Sequence, residues 1–316
     1  MVAASALGGL LGRLAEKPAH HKDLSLGLFS SRWMLLGAHV SISGSIDKAV
    51  DRARELGCTT FQIFTRNPRG WEAKPLKKKE IEMFREKFSE AGFRIAVAHM
   101  PYLPNISSPD KTAHRRSTNS LIQELKRAGQ LGLQYLVVHV GSHLGKGIAA
   151  GIRQAAKAVN TALSKVDNDV MILLENMAGQ KNSVGSRFED IRRILDLIED
   201  EERVGVCLDT CHAFAAGYDF RTREAIENTL KDFDEIIGLK RLKVVHVNDS
   251  KGDLGSGIDR HEHIGMGKIG ERGFFELTHH PVIRPLPLIL ETPVDSRGNF
   301  ATNLAKLKEL YLRESF

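Results

Sequence analysis

The chain has 316 residues, enough for one large α/β barrel or for two ordinary domains. Its 42% hydrophobic and 27% charged residues are typical of a soluble globular protein, and it lacks the run of about 18 apolar residues that a membrane-spanning helix needs. The net charge of +6 weakly favours a polyanionic partner such as nucleic acid. Three cysteines cannot form a disulfide framework in so long a chain, which indicates a reducing compartment.

Residues 1–33 fit poorly with the rest of the chain, and we interpret them as an N-terminal extension outside the catalytic fold. Their small residues and scattered Arg, Ser and Lys resemble a targeting segment, but Glu16 and Asp23 are unusual in a transit peptide. The simpler interpretation is that translation begins at Met34. We therefore expect residues 34–316 to form the functional domain.

From Met34 onwards, short apolar runs alternate with longer charged segments that have helical spacing. The apolar runs are Leu35–Ile42, Thr60–Phe64, Ile95–Ala98, Tyr135–Val138, Val170–Leu174, Val204–Leu208, Leu242–Val247 and Pro287–Leu290. The helical segments are Ile46–Leu56, Lys77–Ala91, Thr112–Leu131, Ile148–Val166, Phe188–Ile198, Thr222–Ile237 and Asn299–Tyr311. Continuous apolar strands are typical of a parallel sheet buried on both faces. Eight strand–helix units over about 280 residues therefore predict a single (β/α)8 TIM barrel.

A doubly wound open sheet is the alternative fold, and it often carries a glycine-rich dinucleotide fingerprint. The sequence G-x-G-K-x-G at Gly265–Gly270 lacks the strand–loop–helix setting of such a fingerprint. We interpret it as a turn, which favours the barrel.

Ionisable side chains stand at or just after the ends of six successive predicted strands. They are His99, His139, Glu175, Asp209 with His212, His246, and Glu291, and the loop after the seventh strand adds Asp259 and His261. In a barrel all of them lie at the C-terminal mouth, where barrel active sites are built. A lone histidine there is more often a hydrogen-bonded core residue, but so many ionisable groups buried together would be costly without compensating cations.

These nine side chains supply imidazole and carboxylate ligands, which suit zinc, with Mn²⁺ or Fe²⁺ as alternatives. Nine ligands indicate two or three ions, and clustered ions in a mildly basic protein suit phosphodiester hydrolysis. Loops at the same mouth carry candidate DNA contacts, namely Arg66, Arg69 and Trp71 after the second strand and Tyr102 and Leu103 after the third. Basic groups bind phosphates and apolar or aromatic groups wedge between bases, although each could equally be an ordinary surface residue.

Several long motifs resemble the signatures of endonuclease IV, the zinc-dependent apurinic/apyrimidinic endonuclease family. They are GAHVSISGSIDKA, AHMPY, HVGSH, LENMAGQ, LDTCHAFAAGYD, HVNDSKGDLGSGIDRHEHIGMGKIG and LETP. The resemblance runs from about Leu35 to the C-terminus and implies a single barrel that holds three zinc ions.

By that resemblance, three sets of side chains would each hold one zinc. The sets are His99 and His139 with Glu175; the bridging Glu175 with Asp209, His246 and Glu291; and His212 with Asp259 and His261. Glu175 and Glu291 are the implied catalytic residues, Glu291 as a candidate for orienting the attacking water. Arg69, Tyr102 and Leu103 match residues that enter the DNA at the lesion, and Arg260 is a candidate phosphate contact. His263 is expected to be structural.

The implied reaction is cleavage 5′ to an abasic site in duplex DNA, which leaves a 3′-hydroxyl and a 5′-deoxyribose phosphate. The resemblance also implies trimming of blocked 3′ ends, a monomer, no membrane partner, and a cytoplasmic, nucleoid-associated location in a prokaryote. A real targeting segment would instead imply an organelle or the nucleus. Two rivals stay open at this point: a metal-dependent barrel sugar isomerase or epimerase, and a DNA-binding module without catalysis.

Overall fold

The computed structural model describes residues 34–316, so the expectations for residues 1–33 lie outside the described residues. The strands are β1 (Leu36–Ala38), β2 (Phe61–Phe64), β3 (Ala96–His99), β4 (Tyr135–His139), β5 (Met171–Glu175), β6 (Val204–Asp209), β7 (Leu242–His246), β8 (Asp249–Ser250), β9 (His261–Glu262) and β10 (Leu288–Leu290). Eight of them form one parallel sheet in the order β1-β10-β7-β6-β5-β4-β3-β2, while β8 and β9 form a separate antiparallel pair.

The two ends of the eight-stranded sheet meet and close the barrel. His39, just after β1, pairs with Gln62 of β2 as a parallel bridge, and the Val40 N–H donates to the Gln62 carbonyl oxygen at 2.8 Å. Gly37 permits this close approach, because a Cβ on it would lie 1.9 Å from the carbonyl oxygen of Thr60. The predicted (β/α)8 barrel is confirmed.

The helices are α1 (Lys48–Glu55), α2 (Lys78–Glu90), α3 (Lys111–Leu131), α4 (Ile148–Lys165), α5 (Phe188–Leu195), α6 (Thr210–Ala216), α7 (Arg223–Ile236), α8 (Gly270–His279) and α9 (Phe300–Leu312). In α5, for example, Phe188, Ile191 and Ile194 are buried at three-residue steps, which is the stripe that covers a sheet. Among residues 34–316, no helix is both long and apolar enough to span a membrane.

Two helices and the β8–β9 pair were not predicted from the sequence. Helix α6 starts directly after Asp209, whose carboxylate caps it by accepting the His212 N–H at 2.8 Å. Gly265–Gly270 is a turn, as predicted, that wraps the buried carboxylate of Asp249. That carboxylate accepts the backbone N–H groups of Gly265, Gly267 and Ile269 at 3.0, 2.9 and 3.0 Å. The backbone N–H groups of this turn therefore bind the Asp249 carboxylate of the same chain.

Arg66 does not lie at the surface as the DNA-contact hypothesis required; it is buried beneath the loop between β2 and α2. Its Nε donates to Glu124 of α3 at 2.5 Å, and its guanidinium also bonds the carbonyl oxygen of Gly70. Arg127, also from α3, donates to carbonyl oxygens near both ends of the same loop. The two buried arginines and Glu124 thus anchor the loop, which presents Arg69 to solvent.

Because removal of one partner leaves a buried charge uncompensated, we expect Arg66→Ala to lower the free energy of unfolding by about 3 kcal/mol. Urea denaturation followed by circular dichroism measures this change. Arg69→Ala is the matched control from the same loop, and since Arg69 is exposed it should change stability by less than about 0.5 kcal/mol. Equal stability of the two variants would contradict the anchoring role of Arg66.

Candidate metal centre

The nine side chains predicted as metal ligands converge at the C-terminal mouth of the barrel. Five of them end strands β3 to β7 and Glu291 directly follows β10, whereas the other three come from α6, β9 and the loop before β9. Their nitrogen and oxygen atoms form three groups in which all ligand atoms lie within 4.8 Å of one another. The groups are His99, His139 and Glu175; Glu175, Asp209, His246 and Glu291; and His212, Asp259 and His261.

Glu175 lies at the centre of this arrangement and is completely buried. Its Oε2 lies 3.1 Å from Nε2 of both His99 and His139, while its Oε1 lies 3.2 Å from Nδ1 of His246. One carboxylate therefore faces two of the three groups with different oxygens. This is the geometry that a bridging ligand needs.

The electrostatics of the cluster favour positive charge at its centre. Burial by itself raises the pKa of the Glu175 carboxyl, but His139 and His246 outweigh it and hold that pKa well below its usual range. Burial likewise opposes protonation of His212, yet Asp209 beside it raises the pKa of that imidazole well above its usual value. Carboxylates that stay ionised in a buried cluster require compensating cations, whether protons on imidazoles or metal ions.

The third group carries an unpaired atom that points to a cation. His261 Nε2 is buried and has no hydrogen-bond partner among residues 34–316, although it lies 3.6 Å from Asp259 Oδ1 and 3.8 Å from Asp209 Oδ2. On the same carboxylate, Asp259 Oδ1 lies 3.2 Å from His212 Nε2. Burial opposes ionisation, but the hydrogen bond and charge of His212 lower the pKa of Asp259 to about 2.

Three of the histidines are held in one tautomer by backbone carbonyl groups. The Nδ1 atoms of His99, His212 and His261 lie 2.7, 3.0 and 3.0 Å from the carbonyl oxygens of Met100, Asn176 and Glu291, respectively. A carbonyl oxygen can only accept, so each Nδ1 carries a hydrogen, and each Nε2 faces its group, where it would offer its lone pair to a metal ion. This arrangement is typical of metal-ligating histidines, and the donor set fits zinc.

Two other residues near the mouth fit the role of ligand poorly. Cys211 Sγ lies near Asp209 and His261, but burial raises the pKa of its thiol to about 12, and the neutral thiol is a poor ligand. His263 is buried with both ring nitrogens bonded, Nε2 to Asp295 at 3.0 Å and Nδ1 to Asn303 at 2.8 Å. Both ring nitrogens are therefore occupied by protein hydrogen bonds, which supports the prediction that His263 is structural.

A cavity of about 260 Å³ lies at the mouth, and two of the predicted DNA contacts, Tyr102 and Arg260, line it together with predicted ligands from all three groups. Tyr102 is 62% exposed and Leu103 is 43% exposed, while Arg69 and Arg260 are exposed as well.

A larger cleft of about 440 Å³ lies on the outside of the barrel, against α4, away from every predicted ligand. Trp71 is half-buried, with the guanidinium of Arg116 lying 4.1 Å from its ring centre.

Sequence reasoning missed the polar residues that hydrogen-bond to the clustered carboxylates without belonging to the three groups. His39 Nδ1 lies 2.9 Å from Glu291 Oε1, Gln180 donates to Asp259 at 3.1 Å, and Asn248 donates to Asp209 at 2.7 Å. Gln62 donates to Glu291 Oε1 at 2.7 Å. A signal for Gln62 was present, because it is the single polar residue in the apolar strand FQIF.

Comparison with known proteins agrees with this architecture. Residues 50–312 match the model of a family described as a Xylose isomerase-like TIM barrel. The chain is 54% identical to "Probable endonuclease 4" of Methanoculleus marisnigri over 88% of its own length and 99% of that protein. The crystal structure of endonuclease IV from Thermus thermophilus superposes with a TM-score of 0.78 at 37% identity, covering 87% of this chain and 98% of that one.

A D-tagatose 3-epimerase-like protein also has a similar structure, with a TM-score of 0.65 at 20% identity, over 87% of this chain and 97% of that one. Identity this low reflects a shared fold alone, because one barrel architecture hosts many chemistries. The endonuclease matches cover a similar share of the chain at much higher identity, 37% for the solved structure and 54% for the Methanoculleus protein. The chain belongs to the endonuclease IV family.

Proposed function

We propose that this protein is a DNA repair hydrolase that cleaves the phosphodiester bond 5′ to an abasic site in duplex DNA. The products are a 3′-hydroxyl and a 5′-deoxyribose phosphate, and the same site trims blocked 3′ ends. The observation that carries the proposal is the convergence of nine imidazole and carboxylate ligands into three groups around one buried glutamate. The names of the relatives, endonuclease 4 and endonuclease IV, support the same activity.

Three zinc ions are the proposed cofactors, one for each group, and Mn²⁺ or Fe²⁺ suits the same ligands. The unpaired His261 Nε2 and the three carbonyl-bonded histidines support this assignment. When bound, clustered divalent ions acidify a water molecule and neutralise charge on the phosphate and on the leaving oxygen. Glu175 contacts two groups through its two oxygens. We assign the orientation of the attacking water to Glu291, which lines the cavity.

The exposed residues around the cavity are proposed to select the damaged nucleotide. Tyr102 and Leu103 form an aromatic and apolar pair beside the cavity, suited to replace a nucleotide that has left the stack. Arg69 and Arg260 are proposed to hold phosphates on either side. An abasic nucleotide has no base to unstack, so its removal from the duplex costs less than that of an intact nucleotide.

Residues 34–316 are the proposed catalytic domain, acting as a monomer on duplex DNA in the cytoplasm. The rival barrel sugar epimerase uses one or two metal ions and does not account for the third group of His212, Asp259 and His261. A DNA-binding module without catalysis leaves all three groups without a role.

The discriminating experiment incubates the purified full-length chain with a duplex that carries one abasic analogue, with and without a chelator. The proposal predicts a single nick 5′ to the analogue, loss of nicking after chelation, and recovery on addition of Zn²⁺. Metal analysis should give about three ions per chain. One ion per chain with an intact duplex would favour the epimerase, and DNA binding that resists chelation without nicking would favour the binding module.

Glu175→Gln should lower the nicking rate at least a thousandfold, because it removes the charge shared by two groups and with it several kcal/mol of transition-state stabilisation. Single-turnover nicking assays measure the rate, and metal analysis should show fewer bound ions. Glu262→Gln is the control, since that buried carboxylate faces Arg297 at 2.9 Å instead of the cluster. Normal turnover in Glu175→Gln would overturn the assignment.

Arg69→Ala should weaken DNA binding and reduce the slope of log affinity against log salt concentration by roughly one unit, as expected for the loss of one phosphate contact. Fluorescence anisotropy with an abasic duplex at several salt concentrations measures the slope. Arg192→Ala, on the outer face of α5 where Arg192 pairs with Asp196, should leave the slope unchanged. If the slope of Arg69→Ala matches that of the control, Arg69 does not contact phosphate.

A further inference from the structure

Gln62 is a completely buried polar residue in an apolar layer of the barrel interior. It lies in register with Val97 of the neighbouring strand, directly below the layer that holds the ligands. The apolar members of the layer are Val97, Val137, Leu173, Cys207, Val244 and Ile289. A buried amide is costly unless its hydrogen bonds are satisfied, so its position calls for an explanation in terms of its partners.

Both ends of the Gln62 amide contact the candidate metal centre. Its Nε2 lies 2.7 Å from Glu291 Oε1, and its Oε1 lies 2.8 Å from His246 Nε2. The carboxylate of Glu291 can only accept a hydrogen bond, so the NH₂ group of Gln62 must face it. The amide oxygen therefore faces His246, and because this oxygen also only accepts, His246 Nε2 must carry the hydrogen.

With a hydrogen held on Nε2, Nδ1 of His246 is the nitrogen that would offer its lone pair to a metal ion in the second group. Nδ1 is the atom that faces the second group, at 3.2 Å from Glu175 Oε1 and 3.3 Å from Glu291 Oε2. His99, His212 and His261 have the opposite arrangement, with Nδ1–H bonded to a backbone carbonyl and Nε2 facing the cluster. For His246, the amide oxygen of Gln62 takes the place that a backbone carbonyl has for the other three.

The two oxygens of Glu291 have different partners, and Gln62 binds one of them. Oε1 receives the Gln62 amide and lies 2.9 Å from His39 Nδ1, which leaves Oε2 directed at the second group. Gln62, which is itself not a predicted ligand, thus holds a hydrogen on His246 Nε2 and, together with His39, fixes the rotation of the Glu291 carboxylate.

We propose that Gln62 is a positioning residue of the metal centre, which holds a hydrogen on His246 Nε2 and leaves Glu291 Oε2 facing the other side chains of the second group, where both residues would bind a metal ion. The inference rests on the proposed metal centre. Partners of this kind typically contribute about 10- to 100-fold to metal affinity. Gln62→Met keeps the length of the side chain but removes its hydrogen bonds to Glu291, His246 and His39, so it should weaken the binding of one zinc ion by about that factor.

Zinc affinity of the wild type and of the variants is measured by competition with a chromophoric chelator. Leu173→Met is the matched control, because it places the same side chain in the same interior layer without removing a polar contact. We expect the control to keep wild-type affinity and thermal stability. In Gln62→Met, one ion should leave at a chelator concentration about 10- to 100-fold lower, and excess Zn²⁺ should restore nicking.

The tautomer provides a second readout that needs no variant at position 62. In the zinc-loaded wild type with ¹⁵N-labelled histidine, long-range ¹H–¹⁵N spectra should show that the ring of His246 carries its hydrogen on Nε2. The His246 signals are assigned by their loss in His246→Asn. A hydrogen on Nδ1, or equal zinc affinity in Gln62→Met and Leu173→Met, overturns the role of Gln62. Absence of zinc binding by the wild type would instead overturn the metal centre itself.

Discussion

The constraint on which the rest of the structure depends is the burial of ionised carboxylates at the mouth of a closed barrel. Glu175 and Asp209 are inaccessible to water and are surrounded by imidazoles instead of by lysine or arginine. Such a cluster is stable only when cations balance it, either protons on the imidazoles or metal ions. The helices, the apolar layers and the loops around the mouth all serve to keep these side chains together.

Hydrogen bonds outside the cluster decide what each ligand presents to it. Backbone carbonyl groups orient three histidines, and an amide from the apolar layer below orients a fourth. The two oxygens of Asp209 have different partners. Oδ1 caps helix α6, whereas Oδ2 accepts a hydrogen bond from Asn248 and faces His246. These hydrogen bonds fix the orientation of the clustered side chains and leave them little freedom to rearrange.

In the loops around the mouth, two residues of the same type that are close in the sequence can have different environments. Arg66 and Arg69 are three residues apart, but only Arg69 reaches solvent, because Glu124 of α3 holds Arg66 beneath the loop. Similar logic applies to His261 and His263. His261 faces the cluster. His263 points away from it, and both of its ring nitrogens are hydrogen-bonded, to Asp295 and Asn303. Residue type and spacing alone do not distinguish the members of either pair.

The sequence by itself determined the barrel and the identity of the nine clustered side chains. Strand ends can be found from hydrophobic pattern, and parallel strands bring their carboxyl ends to one edge, so a ligand at each end implies a cluster. Only the tertiary structure decided which arginine is buried, which nitrogen each histidine presents, and why Gln62 interrupts an apolar strand. These properties depend on hydrogen-bond partners far away in the chain, such as His246, which lies 184 positions after Gln62, and no local pattern encodes such a partner.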